Sequence, residues 1–257
     1  MKKYSICITT FKERFDLCKQ LINSITSINK EIDIIVAVNG NNEEDMDEEY
    51  RKKIILFCSE VPNCYPIVCP EFKSLAKLWN TLVIFSSTQH NLIVNDDIAI
   101  IDPSSLTAIS NIINNTNYEF FTINGSFSHF LITKTILHSL NYFDERLIAF
   151  GEEDGDMVHR YIYKYQQHIP VLPLPGILNI NAHDKSSNNL EIHIDNKPRF
   201  NREYVLSKYT PDSNGICGMS PHPLKQIIED IPQYPYEMFF SKNKHNIKKF
   251  SSIINEY

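Results

Sequence analysis

Residues 91–97 read Asn-Leu-Ile-Val-Asn-Asp-Asp, a short apolar run that stops at two adjacent carboxylates. Neighbouring carboxylates repel one another unless a cation or hydrogen-bond donors lie beside them. Mg²⁺ and Mn²⁺ are typically held by one or two carboxylates together with the phosphate oxygens of a substrate. The alternative is a turn that caps a strand, because Asn and Asp are favoured in turns. Taken by themselves, these residues leave the metal site and the turn cap equally open.

The chain before this stretch alternates between strand patterns and helix patterns. Apolar runs rich in β-branched residues alternate with segments whose apolar residues recur at helical spacing. This order predicts βαβ units, an α/β fold class and a mostly parallel central sheet. The predicted strands cover 4–10, 32–38, 65–68 and 91–94, and the predicted helices cover 13–28, 43–57 and 70–82.

Polar residues follow three of the predicted strands at their carboxyl ends. These are Thr9-Thr10, Asn39-Gly40 and the Asn-Asp-Asp stretch at 95–97. Parallel sheets bind ligands in the crevice beyond the carboxyl ends of their strands. We therefore expect a binding site along this edge of the sheet.

The second half of the chain is less regular. It predicts a helix at 104–116, strands at 119–123 and 129–133, and an extended sheet edge at 171–181, where two prolines interrupt the run. From residue 184 the chain becomes polar, which is typical of a loop. We expect a catalytic core over 1–183 and a loop with a helical C-terminal extension over 184–257.

Composition excludes several classes of protein. The net charge of −6 gives little support to nucleic-acid binding, which needs cations against phosphates. The six cysteines form no CxxC pair, so a reduced, cytoplasmic chain is expected. No apolar run approaches the length of a membrane span.

Glycine is scarce, with seven residues in the whole chain. Neither a GxGxxG motif nor a phosphate-binding P-loop occurs, so a bound diphosphate cannot rest on a cradle of glycine amides. A divalent cation is then the obvious source of positive charge.

A second acidic group stands at residues 150–156, which read Phe-Gly-Glu-Glu-Asp-Gly-Asp at the start of a predicted helix. A helix cap needs one acid rather than four. The apolar residues at 147–150 are expected to desolvate one carboxylate and raise its pKa, as a general base requires. The other interpretation is a solvated acidic helix start, which gains from the helix dipole.

His183 follows the extended segment and is a candidate metal ligand, because Mn²⁺ accepts imidazole beside carboxylate. A lone histidine more often has a structural role. The remaining histidines have no comparable sequence context.

Together these motifs resemble the family 2-like glycosyltransferases of the type A fold, over residues 4–183. Residues 150–154 are also similar to the acidic motif of beta-1,4-galactosyltransferases. The motifs in chain order are Thr9-Thr10-Phe11, Asn39-Gly40, Leu75-Ala76-Lys77-Leu78-Trp79-Asn80, Asn95-Asp96-Asp97, Phe143-Asp144-Glu145 and Glu153-Asp154-Gly155-Asp156.

The resemblance implies roles for the acidic residues and the histidine. Asp97 matches the metal-binding acid of the DxD-type motif, and His183 matches a histidine that some members place on the metal. Asp154 matches the general base of inverting members. Asp96 lies where the donor ribose and sugar are held, and Glu153 where members contact donor or acceptor.

Thr9 and Asn39 match positions that hold the nucleobase and ribose of the donor. Two departures stand out. Asn95 replaces an acid at the first motif position, which lowers the negative charge of the site. The second strand ends in Asn39, where many members carry an Asp near uracil, and this leaves the nucleotide open.

The implied function is a metal-dependent hexosyltransferase, expected to be inverting, in the synthesis of a polysaccharide or lipooligosaccharide. It uses Mn²⁺ or Mg²⁺, a nucleotide-sugar donor, expected to be a UDP-sugar, and a glycan or lipid-linked glycan acceptor. A sugar-nucleotide pyrophosphorylase and a non-catalytic carbohydrate-binding module are the alternatives. The basic residues at 242–249 suggest contact with anionic headgroups at the inner membrane face, or simply a solvated helix face.

Overall fold

The computed structural model describes residues 3–11, 14–40, 48–70, 73–147 and 150–180, together with 201, 202, 204, 205 and 208. The predicted loop at 184–200 and the basic residues at 242–249 lie outside them. The strands are β1 (Tyr4–Thr10), β2 (Ile34–Val38), β3 (Cys64–Val68), β4 (His90–Asn95), β5 (Ile98–Ile100), β6 (Phe120–Ile123), β7 (Ser126–Thr133), β8 (Val171–Leu172) and β9 (Ile177–Asn179). The helices are α1 (Phe15–Ile28), α2 (Glu48–Glu60), α3 (Leu75–Phe85), α4 (Ser104–Asn115), α5 (Lys134–Ser139) and α6 (Glu153–Tyr165).

A seven-stranded sheet forms the centre of the fold, in the order β3-β2-β1-β4-β7-β6-β8. The first four strands in this order run parallel to one another. Strand β7 is antiparallel to both of its neighbours, and β6 is parallel to β8. The prediction of an α/β fold with a mostly parallel sheet is confirmed.

The middle strands are apolar because both faces of the sheet are covered. All seven residues of β1 and all five of β2 are buried. On one face, Ile6, Ile8 and Leu92 belong to a core that also contains buried residues of α1, α2 and α4. Strands buried on both faces carry near-continuous apolar runs, and this is why the sequence marked them so clearly.

A small two-stranded ribbon lies beside the motif at 95–97. Strand β5 pairs antiparallel with β9 through Ala99 and Leu178. The sequence pattern predicted an extended segment at 171–181 but did not predict β5, because three residues are too few for a periodic signal. The predicted sheet edge is confirmed in β8, the last strand of the sheet.

The described residues fall into two compact units. The first contains the sheet, the β5–β9 ribbon and helices α1, α2 and α4. The second contains residues 74–77, 137–147 and 150–169 and the described residues from 201 onward. The division of the chain at residue 184 stays a prediction. Among the helices described, none is long and apolar enough to cross a membrane.

Candidate active site

The candidate site in the first unit begins where β4 ends. Asp96 and Asp97 occupy the turn between β4 and β5, and only 3% and 7% of their surfaces are exposed. The backbone N–H of Ile180 donates to the carbonyl oxygen of Asp97 at 2.9 Å, which fixes the turn against the end of β9. Two neighbouring carboxylates are therefore held in a buried place, and their charge has to be balanced.

Arg14, immediately before α1, supplies this balance. Its Nε lies 2.9 Å from Oδ1 of Asp96, and its Nη2 lies 2.6 Å from Oδ2 of Asp97. The guanidinium also lies over the ring of Phe11, 5.5 Å from the ring centroid. Sequence reasoning expected a cation or donors beside the two carboxylates but did not identify Arg14. The only signal was a basic residue soon after the polar end of β1.

Within the part of the chain that the structure describes, one oxygen of each carboxylate has no hydrogen-bond partner. These atoms, Oδ2 of Asp96 and Oδ1 of Asp97, are buried. Burial raises the pKa of Asp96 to about 7, against the opposing effect of the Arg14 guanidinium. Buried acceptors without partners are rare in folded proteins, and each calls for an explanation such as an ion or ligand.

The two oxygens fit a divalent cation in part. Hard cations such as Mg²⁺ bind through one or two carboxylates and take their other ligands from phosphate and water. Among the described residues, no group of three or more His, Cys, Asp or Glu side chains is arranged to hold a metal ion. A cation here would therefore need substrate oxygens, or His183, which lies outside the described residues.

Thr9 and Asn95 account for the departure at the first motif position. The two residues are paired between the parallel strands β1 and β4, and the Thr9 hydroxyl donates to Oδ1 of Asn95 at 3.3 Å. A neutral amide accepts this bond without adding a third negative charge beside Asp96 and Asp97. Thr9 thus lies at the predicted edge, and its contact with a donor stays a prediction.

Asn39 lies at the end of β2, where its side chain holds the neighbouring backbone. Its Nδ2 donates to the carbonyl oxygen of Lys73 at 3.0 Å, and its Oδ1 accepts from the Lys73 N–H at 2.8 Å. Both polar atoms of the amide are therefore engaged in shaping the edge. A role of Asn39 in donor binding stays a prediction.

His129 is a residue of this site that sequence reasoning passed over. It lies on β7 opposite Val94 of β4 and is 3% exposed, and neither ring nitrogen has a hydrogen-bond partner among the described residues. Burial lowers the pKa of His129, partly opposed by the charge of Asp97, and this favours the neutral imidazole. Only the pairing of two strands distant in sequence brings it beside the acidic turn.

The second unit contains the acidic segment that starts α6. Gly151 and Glu152 both adopt positive φ angles, of 102° and 71°, and for Glu152 this is an unfavourable conformation. The side chain of Asn201 donates to the carbonyl oxygen of Gly151 at 2.9 Å and to that of Phe150 at 3.4 Å. The turn is thereby held in place, and strain of this kind is common at functional sites.

Burial raises the pKa of two carboxyls in this segment, Glu152 and Glu153, and Glu153 is the more deeply buried of the two. Its surface is 5% exposed, and burial, followed by the charge of Asp154, raises the pKa of Glu153 to about 8. The sequence predicted one carboxyl with a raised pKa here, and the structure shows that Glu153 is such a residue. Asp154 is half-buried, and its Oδ1 accepts from the N–H of Gly155 at 2.8 Å.

A fully buried charge network lies beneath the acidic segment in the same unit. The Nζ of Lys208 contacts Oδ2 of Asp144 at 2.7 Å and Oδ1 of Asp156 at 2.6 Å. Arg146 forms a two-pronged pair with both oxygens of Asp144, whereas the Nε and Nη2 of Arg160 both contact Oδ2 of Asp156. Burial tends to raise the pKa of Asp144, but Lys208 and Arg146 outweigh it and hold that pKa well below its usual range.

Comparison with solved structures identifies proteins of similar fold. The chain matches glucosyl-3-phosphoglycerate synthase from Mycobacterium tuberculosis, in complex with Mn²⁺, UDP and glucosyl-3-phosphoglycerate, with a TM-score of 0.57, 11% identity and 82% of each chain covered. It matches TarS from S. aureus with a TM-score of 0.53 and 14% identity, over 80% of this chain. It also matches the mannosyltransferase PcManGT from Pyrobaculum calidifontis, in complex with GDP-Man and Mn²⁺, with a TM-score of 0.52 and 8% identity. This match covers 74% of this chain and 60% of that one.

These structures have the type A glycosyltransferase fold, and the chain shares it. The chain spans 42% of that TarS chain and 58% of a shorter one. No protein-family model matches the sequence, and no curated protein matches it. The similarity of residues 150–154 to the beta-1,4-galactosyltransferase motif stays a prediction.

Replacing Lys208 tests the buried network. We expect Lys208→Met to lower the free energy of unfolding by about 3–5 kcal/mol at pH 7, because two buried carboxylates lose their ammonium. Carboxyl groups with lowered pKa values stabilise the fold above their unfolded pKa of about 4, and this contribution is lost as the pH falls further. Urea denaturation between pH 7 and pH 3 should show the difference shrinking below about pH 4.

The matched control for this substitution is Lys53→Met, on the exposed face of α2. It removes the same charge from the surface and should cost no more than about 0.5 kcal/mol. Equal effects of the two substitutions would contradict the assigned role of Lys208.

Glu153→Gln tests the raised pKa. In the folded state the pKa of Glu153 is about 8, whereas the ordinary pKa of a glutamate is 4.5. The stability linked to this proton is therefore complete below pH 4.5 and is lost as the pH rises to 8. A glutamine cannot ionise, so the variant should melt higher than the wild type at pH 8 and similarly at pH 4.5. Identical pH profiles of the melting temperature for both proteins, with exposed Glu60→Gln as control, would show that Glu153 titrates normally.

Proposed function

We propose that the protein transfers a sugar from a nucleotide-sugar donor to a hydroxyl group of a carbohydrate acceptor. The observation that carries this proposal is the pair of buried, unpartnered carboxylate oxygens at the carboxyl end of β4, on a type A fold. Fold alone does not determine function, so the site has to supply the argument. Carboxylate oxygens in this position, beyond the carboxyl ends of parallel strands, suit a ligand that binds together with a cation.

For the donor, we propose a nucleoside diphosphate sugar with UDP as the first choice. Solved neighbours of this fold have been determined with UDP-GlcNAc, with UDP and with GDP-Man. Thr9 and Asn39 are the residues proposed to lie along the nucleoside, and Asp96 is proposed to face the ribose and sugar. The shortage of glycine supports a donor held through charge rather than through backbone amides.

Asp97 is the proposed protein ligand of Mn²⁺ or Mg²⁺, with His183 as a second. Two of the similar structures contain Mn²⁺. When bound, such an ion supplies Lewis acidity that stabilises the negative charge of a leaving nucleoside diphosphate. The residues around it have a separate task, which is to orient the donor and exclude water.

Asp154, at the start of α6, is the proposed general base. Asp154 takes the proton of the acceptor hydroxyl, the hydroxyl oxygen bonds to the anomeric carbon, and the bond to the diphosphate oxygen breaks with inversion. Glu153 is proposed to contact donor or acceptor, in a form that keeps its proton near neutral pH. A protonated carboxyl donates a hydrogen bond to a sugar oxygen, which a carboxylate cannot do.

For the acceptor, we propose a growing glycan, free or linked to lipid, in the synthesis of a surface polysaccharide or lipooligosaccharide. A lipid-linked acceptor would bring the protein to a membrane surface. The test is a transfer assay in which UDP-, GDP-, CMP- and dTDP-sugars are offered with a panel of glycan acceptors. Failure to transfer or hydrolyse any donor would favour a non-catalytic binding module.

Asp154→Asn should lower transfer by at least about 100-fold, because general-base catalysis is worth about 100- to 10,000-fold. Binding of the donor nucleotide, measured by calorimetry, should be nearly unchanged, since Asp154 is proposed to act on the acceptor hydroxyl and not on the nucleotide. Transfer and nucleotide binding are measured in parallel for Glu153→Gln, which replaces the neighbouring carboxyl. Near-normal turnover of Asp154→Asn would remove Asp154 from the role of base.

Removal of divalent cations should abolish transfer. We expect EDTA to eliminate activity and Mn²⁺ or Mg²⁺ to restore it, because the diphosphate has no glycine cradle to offset its charge. Initial rates measured across a titration of each metal give the test. Full activity in excess chelator would contradict a metal role for Asp97.

A further inference from the structure

The Arg14 guanidinium has a position that the proposed function does not yet use. It forms ion pairs with both carboxylates of the acidic turn, at 2.9 Å and 2.6 Å, and its side chain is 15% exposed. We propose that Arg14 is the second cation of the donor site: it neutralises Asp96 and Asp97 in the empty protein and turns to the diphosphate when the donor binds with its metal ion. This inference rests on the proposed function.

Charge is the first argument. Asp97 and the ionised form of Asp96 carry negative charge, and a nucleoside diphosphate adds more. A divalent cation offsets the charge that the diphosphate brings but leaves the carboxylate pair to be balanced. Arg14 is a permanent cation beside this turn, because a guanidinium does not lose its proton in proteins. The site therefore works with both cations present.

Geometry is the second argument. A guanidinium pairs with carboxylate and with phosphate oxygens, and the Nε and Nη2 of Arg14 reach one oxygen on each carboxylate, so an incoming phosphate can replace either partner. Arg14 precedes the first turn of α1, where the backbone N–H groups and the helix dipole favour an anion. The ring of Phe11 supports the guanidinium from one side, and the partial exposure leaves it room to move.

Competition is the third argument. The oxygen atoms that Arg14 contacts belong to the same two carboxylates whose other oxygens lie unpartnered. A metal ion at Asp97 and the guanidinium repel one another, so each weakens the binding of the other while no nucleotide is present. An incoming diphosphate attracts both cations. Metal and nucleotide are thus expected to bind cooperatively, and Arg14 contributes to that coupling.

Removal of Arg14 should therefore change two affinities in opposite directions. In Arg14→Gln, Mn²⁺ alone should bind more tightly, because its competitor is gone. UDP in the presence of Mn²⁺ should bind more weakly, because a charged partner of the diphosphate is gone. A purely structural role would weaken both affinities together. The opposite signs distinguish a positioning residue from a structural one.

The experiment measures Mn²⁺ binding by the loss of the electron paramagnetic resonance signal of the free ion, and UDP or GDP binding by calorimetry at fixed Mn²⁺. For Arg14→Gln we expect Mn²⁺ affinity to rise about threefold and nucleotide affinity to fall about tenfold, the loss of one charge-assisted bond. Arg14→Lys keeps the charge but loses the fork, so its Mn²⁺ affinity should match the wild type and its nucleotide affinity should fall by less.

Arg51→Gln is the matched control, since Arg51 forms an exposed ion pair with Glu48 on α2. It makes the same change of charge and should leave both affinities unchanged. The inference is overturned if Arg14→Gln binds nucleotide as tightly as the wild type does, or if it binds Mn²⁺ no more tightly than the wild type does. Either result leaves the proposed function standing. A wild-type protein that binds neither UDP nor GDP at any Mn²⁺ concentration overturns both.

Discussion

Two carboxylates side by side at the end of a buried strand impose the constraint on which the candidate site depends. Their repulsion has to be offset inside the protein, and Arg14 does so from the start of α1. The backbone of the turn is also fixed by the N–H of Ile180, and both carboxylates are buried. The result is a charged centre at the sheet edge that is stable without a ligand and still has acceptor oxygens to offer.

The two units of the chain handle buried charge differently, and the contrast indicates what each charge cluster does. In the second unit, Asp144 and Asp156 are enclosed by Lys208 and two arginines, and each carboxylate receives several charged contacts. Such a closed network holds structure together. At the end of β4, by contrast, one oxygen of each carboxylate has no partner in the described ranges of the chain. An open arrangement of this kind is suited to binding.

The sheet and the location of the candidate site could be predicted from the sequence, because the buried parallel strands are apolar runs that end in polar residues. The sequence was not sufficient for the contacts. Three sets of contacts join residues that are far apart in the chain: the ion pairs of Arg14, the strand pairing that positions His129, and the ion pairs of Lys208. The three-residue strand β5 was missed for another reason, since it is too short to show a period. The predicted roles of Asp154 and His183 rest on resemblance and stay predictions.

The central claim is that the acidic turn after β4 holds a nucleotide through a cation. An equilibrium titration of the wild type and Asp97→Asn with UDP, GDP and dTDP, each with and without Mn²⁺, tests it most directly. The account predicts that at least one nucleotide binds the wild type far more tightly with Mn²⁺ and that Asp97→Asn removes this dependence on the metal. Nucleotide binding that is indifferent to both Mn²⁺ and Asp97, or no binding at all, would contradict it.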